Sequence, residues 1–467
     1  MSACLTIEVN RASGRSLTEQ IRAGITHRIA DGALPPGARL PSSRHLAGDL
    51  DVSRSVVVQA YEQLIAEGYL RATQGSGTRV AGHVAAVAGP RSPVRGSSAR
   101  PWLDLRVDAA GTQLFPRREW LVAYQRVVRE IDARGLGHSP PSGTGLLRTE
   151  LSRYLGRARG VRAAPDEVLV TSGLATAFDL LFTALTRAGI TEVAVEDPGE
   201  HRHFERLRRN GVRPVPVPVD ERGIDVGALA RSGVRAVLVT PAHQMPTGVL
   251  LAAERRAALG RWAAARDGLV IECDLGGDLW LGKGSGPLAV QRELPAHVVY
   301  AGSARGLVGP GLRVGWLAGA HPVLRAVPAL AAGGGSVPDS LTQAAFAEFV
   351  GSGLIDQHLR QLRARYRARR ATVTRASARY LPGARVLGAE AGAHVYLTLP
   401  PDVREDRLLA AAQARSVLLR GGGYYHRARA GEPALAIGYA GASQAVLTDA
   451  LATLGAVSRD LPGRLSA

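Results

Sequence analysis

Six short apolar runs separated by helical stretches constrain this chain more than any other feature. They are Glu167–Thr171 (EVLVT), Glu192–Glu196 (EVAVE), Val234–Thr240 (VRAVLVT), Leu269–Glu272 (LVIE), Val298–Ala301 (VVYA) and Val314–Leu317 (VGWL). Strands buried on both faces read as near-continuous apolar runs, and parallel pairing needs a crossover that a helix supplies. The pattern therefore predicts an α/β unit around a largely parallel sheet. Near Gly351 the texture changes. An arginine-dense helix over Leu354–Tyr380 precedes two strand-like runs, His394–Pro400 and Ala434–Ala440, predicting a smaller α+β subdomain over about 354–467. The eight arginines between Arg360 and Arg379 are expected to form a solvated helix face.

The chain has 467 residues, room for about three units of ~150 residues each. With 46% hydrophobic and 21% charged residues it is neither disordered nor collagen-like. No apolar stretch approaches the ~18 residues of a bilayer span, and the start MSACLTIEVNR lacks the pattern of a secretory signal, so a cytoplasmic location is expected. Two distant cysteines, Cys4 and Cys273, exclude a disulfide framework and a cysteine-based metal cluster. The formal charge of +18 invites a polyanionic partner. Among the 58 basic residues there is one lysine, Lys283, so chemistry requiring a lysine amine has one candidate.

A stretch rich in Gly, Pro, Ser and Ala, 82–101, has no helical or strand period and reads as a linker. It divides residues 1–81 from residues 102–467. In the first segment Leu17, Ile21, Ile25 and Ile29 mark an amphipathic helix over Leu17–Asp31. Ser43 is expected to cap a short helix, Arg44–Leu50, and Ser53 to cap the next, whose seam is Val57, Ala60, Tyr61 and Leu64. The opposite face presents Arg54, Ser55, Val58 and Gln59. Two helices across a tight turn, the second with a polar N-terminus, form the arrangement that enters a major groove. YLRATQGSGTRV follows as a hairpin turning at Gly75-Ser76-Gly77.

The run PSSRHLAGDLDVSRSVVVQAYEQLIAEGYLRATQGSGTRV resembles the winged helix-turn-helix of GntR-type bacterial regulators. That resemblance implies double-stranded DNA as partner, contacted by Ser43, Arg44, Ser53, Arg54, Ser55 and Gln59, with Gly77 and Thr78 of the wing near the minor groove. Val56 stands where the family usually carries Thr.

Residues 102–460 resemble the aminotransferase-like, fold type I domain of MocR-type regulators, through phrases such as VLVTSGLATAFDLL, VTPAHQMPTGVL (with Gln244) and VVYAGSARGLVGPGLRVGW. The resemblance implies a homodimer and a pocket for pyridoxal 5′-phosphate, whose aldehyde needs a lysine and whose ring nitrogen needs a carboxylate. At the family's chemical positions this sequence carries Gly306 for the Schiff-base lysine, Cys273 for the ring carboxylate, Leu275 for its tyrosine partner, Glu200 for the stacking aromatic and Ala436 for the substrate-binding arginine. Gly173, Thr176, Ser303 and Arg313 remain from the phosphate cup. Asp274 survives, but strand alternation turns it away from the ring. The expectation is a sequence-specific transcriptional regulator reading paired half-sites as a homodimer, with no catalytic residue, metal or covalent cofactor. Its remnant pocket would sense an effector larger than pyridoxal phosphate and partly apolar. The alternatives are a regulator holding pyridoxal phosphate non-covalently, or an aminotransferase working through Lys283.

Overall fold

The computed structural model describes residues 7, 9–10, 14–73, 77–81, 103–108, 111–333, 335–388, 391–428 and 431–460. The chain divides into two compact units, Met1–Ala99 and Arg100–Ala467.

In the first unit, isoleucines spaced by four bury one face of the helix Leu17–Ala30, which Ser16 caps by accepting the Glu19 amide at 3.2 Å. The second helix is Ser43–Asp49, and its cap is Ser42, not Ser43 as expected. Ser42 keeps extended backbone, and its Oγ accepts the His45 amide at 3.2 Å, leaving Ser43 as the first helical residue. Asp51, with φ of 51°, makes the tight turn. Ser53 stands at the cap position of the third helix, Arg54–Ala66, but its hydroxyl meets Ser55 Oγ at 2.9 Å instead of a backbone amide. Val57, Ala60, Tyr61 and Leu64 are buried as their spacing predicts, and the Tyr61 hydroxyl donates to the Pro41 carbonyl at 2.9 Å. Strands Leu70–Thr73 and Gly77–Val80 pair antiparallel, from Leu70↔Val80 to Thr73↔Gly77. The expected turn at Gly75-Ser76 and the linker 82–101 lie outside the described residues.

The second unit is built on an eight-stranded sheet. Its spatial order is Val168–Thr171, Gly315–Ala318, Val298–Ser303, Leu269–Cys273, Ala236–Val239, Glu192–Asp197, Arg213–Asp220, Gly223–Ile224. All six predicted runs are strands of it. Five consecutive strands, from Val298–Ser303 to Arg213–Asp220, are mutually parallel, whereas Gly315–Ala318 runs against both neighbours. Helices such as Leu174–Arg187 and Ala253–Arg266 cover the sheet and seal apolar cores on its two faces. The smaller subdomain carries the antiparallel strands Arg385–Leu387, His394–Thr398, Ala434–Gly438 and Arg420–Gly421, packed with the helices Leu354–Tyr380 and Gln444–Asp460.

Of the eight arginines expected to form a solvated face on Leu354–Tyr380, Arg360, Arg365, Arg367, Arg375 and Arg379 are exposed, while Arg363, Arg369 and Arg370 are drawn inward. Arg363 donates to the Asp278 carbonyl at 2.8 Å, Arg367 to that of Leu281 at 2.7 Å, and buried Arg369 to that of Tyr439 at 3.2 Å. Long guanidinium side chains here satisfy loop carbonyls that the helix covers. Among the described residues no helix is long and apolar enough to cross a membrane.

Candidate functional site

The first unit presents a polar ridge. Arg44, Ser53, Arg54, Ser55 and Gln59 are exposed, and Arg54 Nε lies 3.4 Å from Ser43 Oγ, joining the two helices of the turn at one point. Gln59 is engaged, its Oε1 accepting the Thr18 hydroxyl at 3.2 Å. Gly77 has φ of 82° and lies beside the guanidinium of Arg39, while the Thr78 carbonyl accepts the Leu40 amide at 2.9 Å. Arg39 was not singled out from the sequence, since it sits in the proline-rich connector; the wing brings it next to the reading face.

In the second unit a cavity of about 270 Å³ opens at the carboxyl ends of the parallel strands, the usual ligand position in such sheets. The segment after each strand contributes. Glu200, Arg202 and Arg206 follow Glu192–Asp197; Thr240, His243 and Met245 follow Ala236–Val239; Cys273, Leu275 and Gly276 close Leu269–Cys273; Arg305 and Gly306 follow Val298–Ser303. The smaller subdomain adds His358, Leu362, Tyr366 and His394.

One wall is cationic. Arg202 Nη2 donates to Asp108 Oδ2 at 2.5 Å, and Arg206 pairs with Asp179. Arg305 Nη2 donates to the Asp108 carbonyl at 3.1 Å; burial, then the nearby Arg202, hold its guanidinium below the usual range. The lining also carries two imidazoles, His243 and His394, edge to face at 4.5 Å. Burial depresses both, His394 to about 4, so each is neutral near pH 7. The Cys273 thiol, also in the lining, is pushed up by burial and, next, by the Asp274 carboxylate, which keeps it protonated.

Of the residues named from the sequence, Glu200, Cys273, Leu275 and Gly306 line this cavity. Glu200 caps the helix His201–Arg209, accepting the Arg202 amide. Gly306 faces the main chain: an added Cβ would sit 3.2 Å from the Leu275 carbonyl. The phosphate-cup residues are placed differently from the expectation, because their polar atoms are spent on the backbone. Ser303 Oγ donates to the Val314 carbonyl at 3.0 Å and accepts the Arg305 amide at 3.1 Å, and Thr176 Oγ1 donates to the Ser172 carbonyl at 3.3 Å. Gly173 and Arg313 meet through their main chains, and Arg313, at φ of 50°, is exposed and outside the cavity lining. Gln244 is buried away from it, donating to the Pro198 carbonyl at 2.8 Å and accepting the Thr247 hydroxyl at 2.6 Å. Ala436 packs with Tyr396 and Tyr425. Lys283 is exposed and does not line the cavity. The cations that do line it were legible only as the i, i+4 pair Arg202 and Arg206 after Asp-Pro-Gly.

Residues 17–80 match the family described as bacterial regulatory proteins, gntR family, and residues 109–454 match aminotransferase class I and II. The chain is 34% identical over 382 residues to the HTH-type pyridoxine biosynthesis transcriptional regulator PdxR of Corynebacterium glutamicum, covering 80% of this chain and 81% of that one. It is 28% identical over 425 residues to the probable rhizopine catabolism regulatory protein MocR of Rhizobium meliloti, covering 86% and 85%. The chain belongs to the MocR-type branch of the gntR regulators. Kynurenine aminotransferase of Pyrococcus horikoshii shares the fold of the larger unit, with a TM-score of 0.70 at 20% identity over 77% of this chain and 91% of that one. As a MocR-type regulator the protein couples an HTH domain to an aminotransferase-like domain, and the cavity lies in the latter.

Proposed function

We propose that this MocR-type regulator binds paired DNA half-sites as a homodimer, and that its aminotransferase-like domain senses an anionic, partly apolar small molecule without a covalent cofactor. The observation that carries this reading is Gly306. The family resemblance assigns its position to the Schiff-base lysine and it lines the cavity, while the chain's single lysine, Lys283, is exposed and outside that lining. Pyridoxal phosphate does not fit the residues present. A neutral thiol at Cys273 cannot hold a pyridine nitrogen protonated. Asp274 cannot replace it, because its carboxylate is committed to Arg159 at 2.8 Å on the other side of the strand. What remains is a cavity lined by guanidinium groups, neutral imidazoles and apolar groups, suited to an anion with an apolar body. The homodimer is supported by Leu121, Val122 and Val128, which are 55%, 46% and 51% exposed on one helix, an apolar surface of the kind that partners cover. Two recognition helices in one dimer call for two half-sites.

The second reading, a regulator that holds pyridoxal phosphate non-covalently, is favoured by the relative named for pyridoxine biosynthesis. One set of measurements separates them. Purified protein should be colourless, should retain no pyridoxal phosphate on dialysis, and should protect two half-sites in a footprint. A pyridoxyl adduct on Lys283 after borohydride reduction overturns the proposal in favour of an enzyme-like site. Reversible retention of the cofactor establishes the second reading.

A further inference from the structure

The cationic wall of the cavity already holds a carboxylate from this chain. Leu103–Asp104 pairs with Val417–Leu418, the Leu103 and Leu105 amides each donate to that strand's neighbourhood at 2.8 Å (to Ser416 and Leu418 carbonyls), and the Leu105 carbonyl accepts the Gly438 amide at 2.7 Å. In chain order this is the first described stretch after the linker that joins the DNA-binding unit. Val107 and Asp108 then turn into the cavity.

There Asp108 is gripped from several sides. Oδ2 takes Arg202 Nη2 at 2.5 Å with Arg420 Nη2 at 3.9 Å, and its main-chain carbonyl takes Arg305. Oδ1 is buried and has no hydrogen-bond partner among the described residues. Among the described residues the only other carboxylate lining this wall is Glu200, 3.5 Å from Arg202 Nε; Arg202 and Arg305 thus face two carboxylates, while Arg206 is paired with Asp179 and Arg420 stands outside the lining. The ion pair with Arg202 is partly exposed, so it holds the segment weakly, and an unpartnered buried oxygen weakens it further. Such a contact is built to be exchanged.

We propose that Asp108 is an internal placeholder for the anionic group of the ligand, and that a carboxylate or phosphate arriving at Arg202 and Arg305 displaces it and releases Leu103–Asp108, the segment leading into the DNA-binding linker. This rests on the reading of the cavity as a ligand sensor. It adds the ligand's charged group, the residues that grip it and the element that carries the signal. Because coupling is reciprocal, whatever factor the anion imposes on operator affinity, operator binding imposes on the anion's affinity.

Hydrogen–deuterium exchange on the full chain tests it, with inorganic phosphate and succinate as separate probes against sodium chloride at equal ionic strength. One of the two anions should raise exchange at the Leu103 and Leu105 amides roughly fivefold or more, and which one does so identifies the group as phosphate or carboxylate. Asp108→Asn should show the raised exchange with no anion present. Arg305→Ala should abolish the response, and Arg202→Gln should release the segment as Asp108→Asn does, which covers the case in which the latter folds poorly. Exchange that neither anion nor either releasing variant moves overturns the proposal, as does a response that survives Arg305→Ala. Operator binding is measured on the same samples. Wild-type protein that binds no DNA refutes the regulatory reading itself, whereas intact DNA binding with an unresponsive segment refutes this inference alone.

Discussion

Cys273 and Asp274 are neighbours in sequence and face opposite sides of the large sheet. Cys273 lines the cavity; Asp274 lies in a buried network where Arg159 Nε donates to its Oδ2 at 2.8 Å, the Tyr300 hydroxyl at 3.0 Å, and the Gly277 amide to its Oδ1 at 2.7 Å. Burial opposes the charge on Asp274, and the Arg159 guanidinium with these donors more than offsets it, holding the carboxyl below its usual range. The carboxylate next to Cys273 in sequence is thus committed to this buried network and does not line the cavity.

Removing Arg159 would leave that carboxylate buried and uncompensated. Arg159→Met should lower unfolding free energy by about 3–5 kcal/mol in urea titrations. Arg159→Met combined with Asp274→Leu should cost less than the sum of the two single changes, since no lone charge is left behind. Additive losses would show that the pair is not energetically coupled.

The recognition face makes a separate prediction. Arg54→Ala should abolish specific operator binding in anisotropy titrations, because Arg54 sits at the exposed start of the recognition helix. Arg44→Ala should weaken binding to all sequences and reduce the log–log salt slope by about one for each phosphate that the guanidinium had neutralised. Unchanged footprints for both would remove this helix from the interface.

Much of this was legible in the sequence, and the failures have physical causes. Apolar runs located all six predicted strands because burial on both faces leaves that signature. They could not show that Gly315–Ala318 runs antiparallel, since direction is set by the chain's path and leaves no mark on composition. The strand Arg213–Asp220 escaped notice because Pro214, Pro216 and Pro218 read as strand breakers. They are tolerated because the strand pairs along that stretch with Glu192–Asp197 alone, and only Val219 and Asp220 pair on the other side. The family resemblance put Arg313 in the phosphate cup; its side chain is exposed and does not line the cavity, whereas Arg305, two residues after Ser303, does.

The buried imidazole at His394 makes stability depend on pH with a definite sign. Its pKa is about 4 in the folded protein against 6.5 ordinarily, through burial opposed by the hydrogen bond to the Pro246 carbonyl at 3.0 Å. The unfolded chain therefore takes up a proton at higher pH than the folded one. The stabilisation is complete above pH 6.5 and is lost as pH falls from there to about 4, amounting to about 3 kcal/mol. Urea titrations of His394→Gln should show a pH slope shallower by one proton in that window. Glu196→Gln should have the opposite consequence: burial raises Glu196 to about 7, so wild-type stability falls between pH 4.5 and 7, and the amide removes that decline.

Gly306 supplies the sharpest test of the cavity as a ligand site. An added Cβ would approach the Leu275 carbonyl to 3.2 Å, so alanine requires only a small local adjustment, while a benzyl group must project into a space of about 270 Å³. Gly306→Phe should erase any ligand-induced rise in melting temperature that wild-type protein shows in a small-molecule screen, and Gly306→Ala should retain most of it. Arg305→Ala should also erase the shift, because Arg305 is one of the guanidinium groups lining the cavity and, unlike Arg206, is not paired with a carboxylate outside it. Arg313→Ala should leave the shift intact, because that side chain stands outside the lining. DNA binding without ligand should persist in all four variants, since the first unit folds around its own core. A ligand whose shift survives Gly306→Phe binds elsewhere, and the larger unit would then be a dimerisation scaffold with its old cavity idle.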